Sequence, residues 1–444
     1  MKNILNPTRV MVILGALASP CTLAAQSPCP GVVNDNAPPA RGTDIPDVTA
    51  NGTQDKSTLT PASFGPAALV PALNGTGLLA IDPDYTPLFS YGYDAAAGWD
   101  SSNVDGSSAL FTASPYLGVQ SSFGHTQFLL QYAPTFTKYT ASNYVGGNLE
   151  RASARFLGTI GPRWQWNAGS TFAYGQDSLR LLAPPESIAI GDVPGLDPNA
   201  AVYRPNAGVG TFVNTDVGVS YLRSERDSIN LQLGDSYSQL SDVPGDSSTM
   251  SARMNYTRRL SPTLSLSPYG QILASTGSVS CASIGGGAGI AWQLAERTGL
   301  SLSAGPQFSS KACGSQQSYV YNAAFNTRLN ASSQMYALAG RQFSSPYLGP
   351  GLWQNTIATG YQRMFRTTTV ASLDVSYASS PGVGTATDYH GVFLGGSLGR
   401  TLGRALNPSL TYRRIMSHAG TSRLDRDTLM FSLNWNSRSF PIFN

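Results

Sequence analysis

From residue 227 to residue 240 the chain reads DSINLQLGDSYSQL, and its two parities differ in kind. Ile229, Leu231, Leu233 and Tyr237 occupy one parity; Ser228, Asn230, Gln232, Gly234, Ser236 and Ser238 occupy the other. Successive side chains of a strand point to opposite faces, so this period of two predicts a strand that is apolar on one side and wet on the other. The preceding FVNTDVGVSYL sets Val213, Val217, Val219 and Tyr221 against Asn214, Asp216, Gly218 and Ser220. LSLSAGPQF, ASLDVSY and LMFSLNWN repeat the pattern further on. Asp235 breaks it, falling among the apolar positions of its strand.

Such runs begin near residues 87, 110, 126, 151, 163, 212, 228, 249, 263, 286, 299, 318, 333, 354, 368, 389, 406 and 426. They predict an all-β fold of about 18 strands, within a range of roughly 16 to 18. The connections alternate in length. SSFGH, IGPR, RSERD, RRLSPT, AERTG, LNASS, FRTT and GRALN are short, whereas DSSNVDG, YTASNYVGGN, SDVPGDSS, SSKACGSQQ, SSPYLGPG, SSPGVGTATD and SHAGTSRLDR are long.

Tight turns at one rim and longer loops at the other resemble the Gram-negative outer-membrane β-barrel, or porin-like, superfamily over residues 86–444. The resemblance implies a transmembrane antiparallel β-barrel with outer-membrane lipid and barrel-assembly machinery as partners. A closed barrel suits a bilayer because it pairs every backbone N–H and C=O and leaves no edge. Its apolar parity would face lipid and its polar parity a lumen. Aromatics support that orientation: Trp164, Trp166, Tyr221, Tyr256, Tyr361 and Trp435 cluster at the periplasmic strand ends, and Tyr174, Tyr237, Phe308, Tyr377 and Tyr412 at the outer ends. Two such girdles are what amphipathic rings at membrane interfaces require.

Composition agrees with this picture. Charged residues make up 12% of the chain, about half of the roughly 25% usual for soluble domains. No stretch of about 20 apolar residues follows the N-terminus, so no transmembrane helix is expected. A net charge of +3 is too small to imply a nucleic-acid partner. Residues 1–25 carry Lys2 and Arg9, then VMVILGALA and TLAA, which read as a secretory signal peptide cut near Ala24 or Ala25. Residues 26–85 are rich in Pro, Gly, Asn, Asp and Thr and read as an arm without a core. Within the resemblance, this arm could bind a periplasmic partner or plug the barrel, as would suit exopolysaccharide export.

A barrel of about 18 strands is wide enough for an aqueous channel. Its lumen parity is expected to carry Arg155, Arg163, Arg253, Arg328, Arg341 and Arg413 against Asp216 and Asp374. Such an excess of guanidinium favours anions, because arginine pairs bidentately with carboxylate or phosphate. Each arginine could instead serve neighbouring strands or the periplasmic rim. The longest connection, residues 176–210, contains Pro184, Pro185, Pro194, Pro198 and Pro205. By the resemblance it is the third outer loop and could narrow the pore; it could equally be a surface loop or a lid.

Cys281 and Cys313 fall in neighbouring outer loops and could form a disulfide, leaving Cys29 alone. Their spacing does not suit zinc, and neither metal nor cofactor is expected. His125 lies in a periplasmic turn, and His390 and His418 lie near the outer rim without a marked nucleophile. The expectation is therefore a channel in the outer membrane of a Gram-negative cell, passing an anionic solute or polysaccharide and not acting as an enzyme. A barrel enzyme with a site at the outer rim, and a structural or adhesin barrel, are the alternatives.

Overall fold

The computed structural model describes residues 88–441 except 124, 143, 145, 177–208, 242–245, 277–279, 311–316, 346–348, 366–367, 381–387, 403–405, 421 and 437–439. The signal peptide at 1–25, the arm at 26–85, Cys29, Cys313 and nearly all of the long third outer loop therefore lie outside the described residues.

The strands are β1 (Leu88–Ser102), β2 (Gly106–Phe123), β3 (Thr126–Tyr132), β4 (Thr135–Tyr139), β5 (Gly147–Ile160), β6 (Trp164–Gln176) and β7 (Val209–Leu222). They continue as β8 (Asp227–Leu240), β9 (Asp246–Ser261), β10 (Leu264–Thr276), β11 (Cys281–Ala295), β12 (Thr298–Ser309) and β13 (Gln317–Asn330). The chain ends through β14 (Ser333–Ser345), β15 (Gly349–Phe365), β16 (Thr369–Ser380), β17 (Tyr389–Arg400), β18 (Leu406–Ala419), β19 (Ser422–Asn436) and β20 (Phe440–Pro441). All belong to one sheet, in which β1 pairs antiparallel with β19 and so closes it into a barrel.

Of these 20 strands, two add no place of their own around the barrel. β3 and β4 lie end to end between β2 and β5, separated at Pro134, which has no N–H to give to the ladder. The register passes through unshifted: Leu117 faces Tyr132 and Ala113 faces Phe136. β20 prolongs the course of β19 beside the start of β1, where Phe89 faces Phe440. Eighteen places remain, the number expected from the alternation.

Burial is inverted relative to a soluble protein. Leu231, Leu233, Met254, Ile272, Ile284, Leu302, Leu373 and Phe431 are exposed on the outer face, while Ser114, Gln131, Gln271, Gln307, Thr356 and Asn434 are buried on the inner face. At the tight-turn rim Trp164 packs on Tyr221 with ring centroids 4.6 Å apart. Tyr174, Phe308, Tyr377 and Tyr412 are exposed towards the opposite rim, joined by Trp99. Asp235 remains on the outward parity, where the Ser248 hydroxyl donates to it at 3.1 Å.

Several outer connections are shorter than the alternation suggests. β1 and β2 run through DSSNVDG and leave only residues 103–105 between them, and β18 and β19 leave only 420–421. The first turn is held by Ser102, whose hydroxyl accepts from the Asp105 N–H at 2.8 Å. The second uses Gly420 at φ 58°, a conformation that costs glycine little. Beyond the hydrocarbon both strand faces meet water, so alternation fades there although the ladder continues.

Candidate functional site: the inner wall of the barrel

The inner wall is built by long polar side chains that reach across glycines. Arg155 on β5, Gly169 on β6 and Asp216 on β7 stand in one ladder row, all facing inward. A methyl group at Gly169 would lie 2.6 Å from Asp216 Oδ1, so only glycine lets the carboxylate occupy that space. The Asn167 amide donates to the same carboxylate at 3.3 Å. On the other side of the barrel Tyr336, Gly360, Asp374, Gly395 and Arg413 form a second such row. The Tyr336 hydroxyl donates to Asp374 Oδ1 at 3.1 Å across Gly360, where an added methyl would again lie 2.6 Å from the carboxylate.

This second row continues through Thr428 to Asp100, where the barrel closes. There the Arg426 guanidinium straddles the Asp100 carboxylate: Nε donates to both oxygens, at 2.9 and 3.1 Å, and Nη2 donates to Oδ2. Tyr139 donates to Oδ2 at 3.2 Å, Thr428 donates to Oδ1 at 3.2 Å, and Arg426 Nη2 donates to the Tyr139 oxygen at 3.0 Å. Asp100 is 0% exposed and Arg426 7% exposed. Leu110, Tyr139, Tyr144 and Met430 pack together beside the pair, with the two tyrosine rings stacked at 4.8 Å. None of Asp100, Arg426, Tyr139, Tyr144 or Tyr336 stands out in the sequence. The one available signal was that Arg426 shares the parity of Thr428 and Met430, opposite Leu429 and Phe431.

The six expected lumen arginines part company. Arg155, Arg253 and Arg413 are half-buried on the inward parity, the first and last near Asp216 and Asp374. Arg253 stands between Gln232 and Gln271 in the ladder, with its guanidinium carbon 4.5 Å from the centroid of the Tyr269 ring. Among the described residues no carboxylate forms an ion pair with it. Arg328 is exposed on the inward parity close to the tight-turn rim, and Arg163 is exposed in the turn before β6. Arg341 falls on the other parity, opposite Tyr321 and Asn355 at the outer end of β14, and its guanidinium lies 5.1 Å over the Trp353 ring. Its Nε is buried, and the Trp353 ring packs with Cys281 and Val320, which are on the inward parity. QMYALAGRQF has apolar residues on both parities, and the Tyr336 hydroxyl, by reaching Asp374, decides which of them faces inward.

Cys281 is the first residue of β11, buried on the inward parity, and not a loop residue; it is disulfide-bonded. Its expected partner, Cys313, is outside the described residues. His125 sits in the tight turn between β2 and β3, its carbonyl accepting from Thr159 N–H at 3.1 Å. His390 and His418 face each other across β17 and β18 on the outward parity. Ser379 is aligned with His390, but its hydroxyl receives the Asn355 amide at 3.5 Å while His390 Nδ1 meets the Tyr377 hydroxyl at 3.1 Å. No serine–histidine hydrogen bond is among these contacts, so they do not assemble an activated nucleophile.

Closure, the apolar outer face and the two aromatic levels settle the class. This is a transmembrane antiparallel β-barrel. No protein-family model matches the chain, and no curated protein matches it. Among solved structures it is similar to Pseudomonas aeruginosa OpdO, at 13% identity and a TM-score of 0.46, covering 80% of this chain and 98% of that one. It is similar to P. aeruginosa OccK2 (OpdF) at 12% identity and 0.46, covering 79% and 98%, and to P. aeruginosa OpdK, solved with vanillate, at 10% and 0.45, covering 79% and 99%. At such identities and TM-scores these likenesses carry no argument of their own, and the class rests on the barrel's own ladder.

Proposed function

We propose that this barrel is a channel for small anionic solutes, with the β5–β9 wall as the conducting side. The observation that carries this reading is Arg253, an inward cation stacked on Tyr269 and flanked by neutral amides, without a carboxylate partner among the described residues. A guanidinium so placed attracts anions, and its planar fork suits a carboxylate or phosphate. Arg155 adds a donor to this wall while Asp216 offsets its charge, and Arg413 with Asp374 stands in the row across the barrel. Nothing in the described wall favours a polymer such as exopolysaccharide over a small solute.

The test is the reversal potential of the folded barrel in a planar bilayer under a KCl gradient. An anion-selective current is expected, and Arg253→Gln should move the reversal potential towards zero. A cation-selective current, or a demonstrably folded barrel that passes none, would sink the reading.

A further inference from the structure

His390 and His418 are 28 residues apart in the chain, yet the register of β17 and β18 sets them directly opposite each other on the outward face, both exposed. Directly opposed residues of an antiparallel pair have Cβ atoms about 4.5–5.5 Å apart, close enough for two imidazoles to converge on one ion. We infer that this pair is a two-imidazole chelate for a divalent late transition metal ion, such as Zn2+ or Cu2+, at the outer rim.

The surroundings fit that chemistry. Tyr377 holds His390 from behind: its oxygen is 3.1 Å from Nδ1, and the rings lie 6.5 Å apart at 24°. With Nδ1–H donating to that oxygen, Nε2 keeps its lone pair and the ring is fixed in orientation, the usual arrangement behind a metal-bound histidine. The nearest cation in the row, Arg423 opposite His418, is neutralised by Asp425 through contacts of 2.8 and 3.0 Å. Arg414, further along β18, is near Asp427 at 3.9 Å. Among the described residues no group of three or more histidine, cysteine or carboxylate ligands is gathered. The pair therefore leaves the remaining coordination positions to water or an external donor, which makes it an exchangeable site and not a structural one. Imidazole ligation selects Zn2+, Cu2+ or Ni2+ over the oxygen-seeking Mg2+ and Ca2+.

The test is titration of the folded full-length barrel in detergent with ZnCl2 against a chromophoric chelator, with heat-dependent gel mobility as the check on folding. Loss of Zn2+ affinity by about tenfold or more is expected in each of His390→Asn and His418→Asn, a smaller loss in Tyr377→Phe, and none in His125→Asn. Cu2+ bound to the same protein should show hyperfine coupling to two nitrogens in its electron paramagnetic resonance spectrum, reduced to one or none in either single variant. Absence of saturable binding, binding that survives His390→Asn, or equal loss in His125→Asn would overturn the assignment.

Discussion

The wall formed by β1, β2, β4 and β19 and the wall formed by β5–β9 arise from the same alternating pattern, yet their inward side chains end in different environments. On the first, Asp94, Asp100, Ser102, Ser108, Leu110, Thr112, Ser114, Tyr116, Thr135, Tyr139, Arg426, Thr428 and Met430 are all buried. On the second, Arg155, Asn167, Thr171, Asn214, Asp216, Asn230, Gln232, Arg253 and Asn255 remain half-exposed. The difference follows from side-chain size. Tyr116, Tyr139, Leu110 and Met430 fill the space above the first wall, and Tyr144 is added from the connection between β4 and β5, its hydroxyl 2.6 Å from the Gly106 carbonyl. On the second wall asparagine, threonine and glycine are too short to do so, and the longer Arg155, Gln232 and Arg253 carry polar ends that stay half-exposed. The first wall is thus a packed seam where the barrel closes, and the second is a wet surface that a solute can touch.

The sharpest way to break this comparison is Arg426→Leu, which leaves the Asp100 carboxylate buried without its guanidinium. Removing one partner of such a pair costs about 3–5 kcal/mol, and a lower urea midpoint with loss of the heat-resistant gel form is expected. Combining it with Asp100→Leu should recover much of that loss, since a buried pair replaced by apolar residues is often neutral. An unchanged midpoint in the single variant would mean that the seam does not depend on the pair.

A smaller effect should separate two glycines. Gly360→Val forces Tyr336 and Asp374 apart in a tightly filled place, where overpacking costs about 1–3 kcal/mol. Gly169→Val meets only the movable carboxylate of Asp216, with no ring among its nearest neighbours, and should cost less than about 1 kcal/mol by the same reasoning. Denaturation midpoints compare the two directly, and equal losses would mean that the two carboxylate rows are filled alike.

The least stability change, with the clearest electrical one, is expected from Arg155→Gln. Stability should fall by about 1 kcal/mol or less, well below the Arg426→Leu loss, because the Arg155–Asp216 pair is only half-buried. Asp216 is left without its neighbouring cation, so the reversal potential should move towards cation selectivity, as in Arg253→Gln. Asp216→Asn should move it the opposite way. If both variants shift selectivity in the same direction, the Arg155–Asp216 row does not line the conducting path.

Strand positions were legible because each outward residue must be apolar in lipid, a demand that each strand meets alone. Starts expected near 126, 163, 228, 263, 299, 333, 368, 389 and 406 agree to within a residue with strands at Thr126, Trp164, Asp227, Leu264, Thr298, Ser333, Thr369, Tyr389 and Leu406. Outer strand ends were less legible, as at DSSNVDG, because serine, threonine and aspartate serve a water-exposed strand and a loop equally well. Arg341 was harder to place, because QMYALAGRQF carries apolar residues on both parities. The seam was invisible for another reason: Asp100 and Arg426 are 326 residues apart, and neither position is unusual locally.

Local chemistry therefore settled the number of strands and the face each turns to lipid, since these follow from solvent contacts made residue by residue. Which arginines lie beside a carboxylate and which histidines meet depended on closure and register. Charge pairing requires two side chains within a few ångströms of each other, and only the closed ladder, with Gly169 and Gly360 leaving room between flanking strands, brings those partners together.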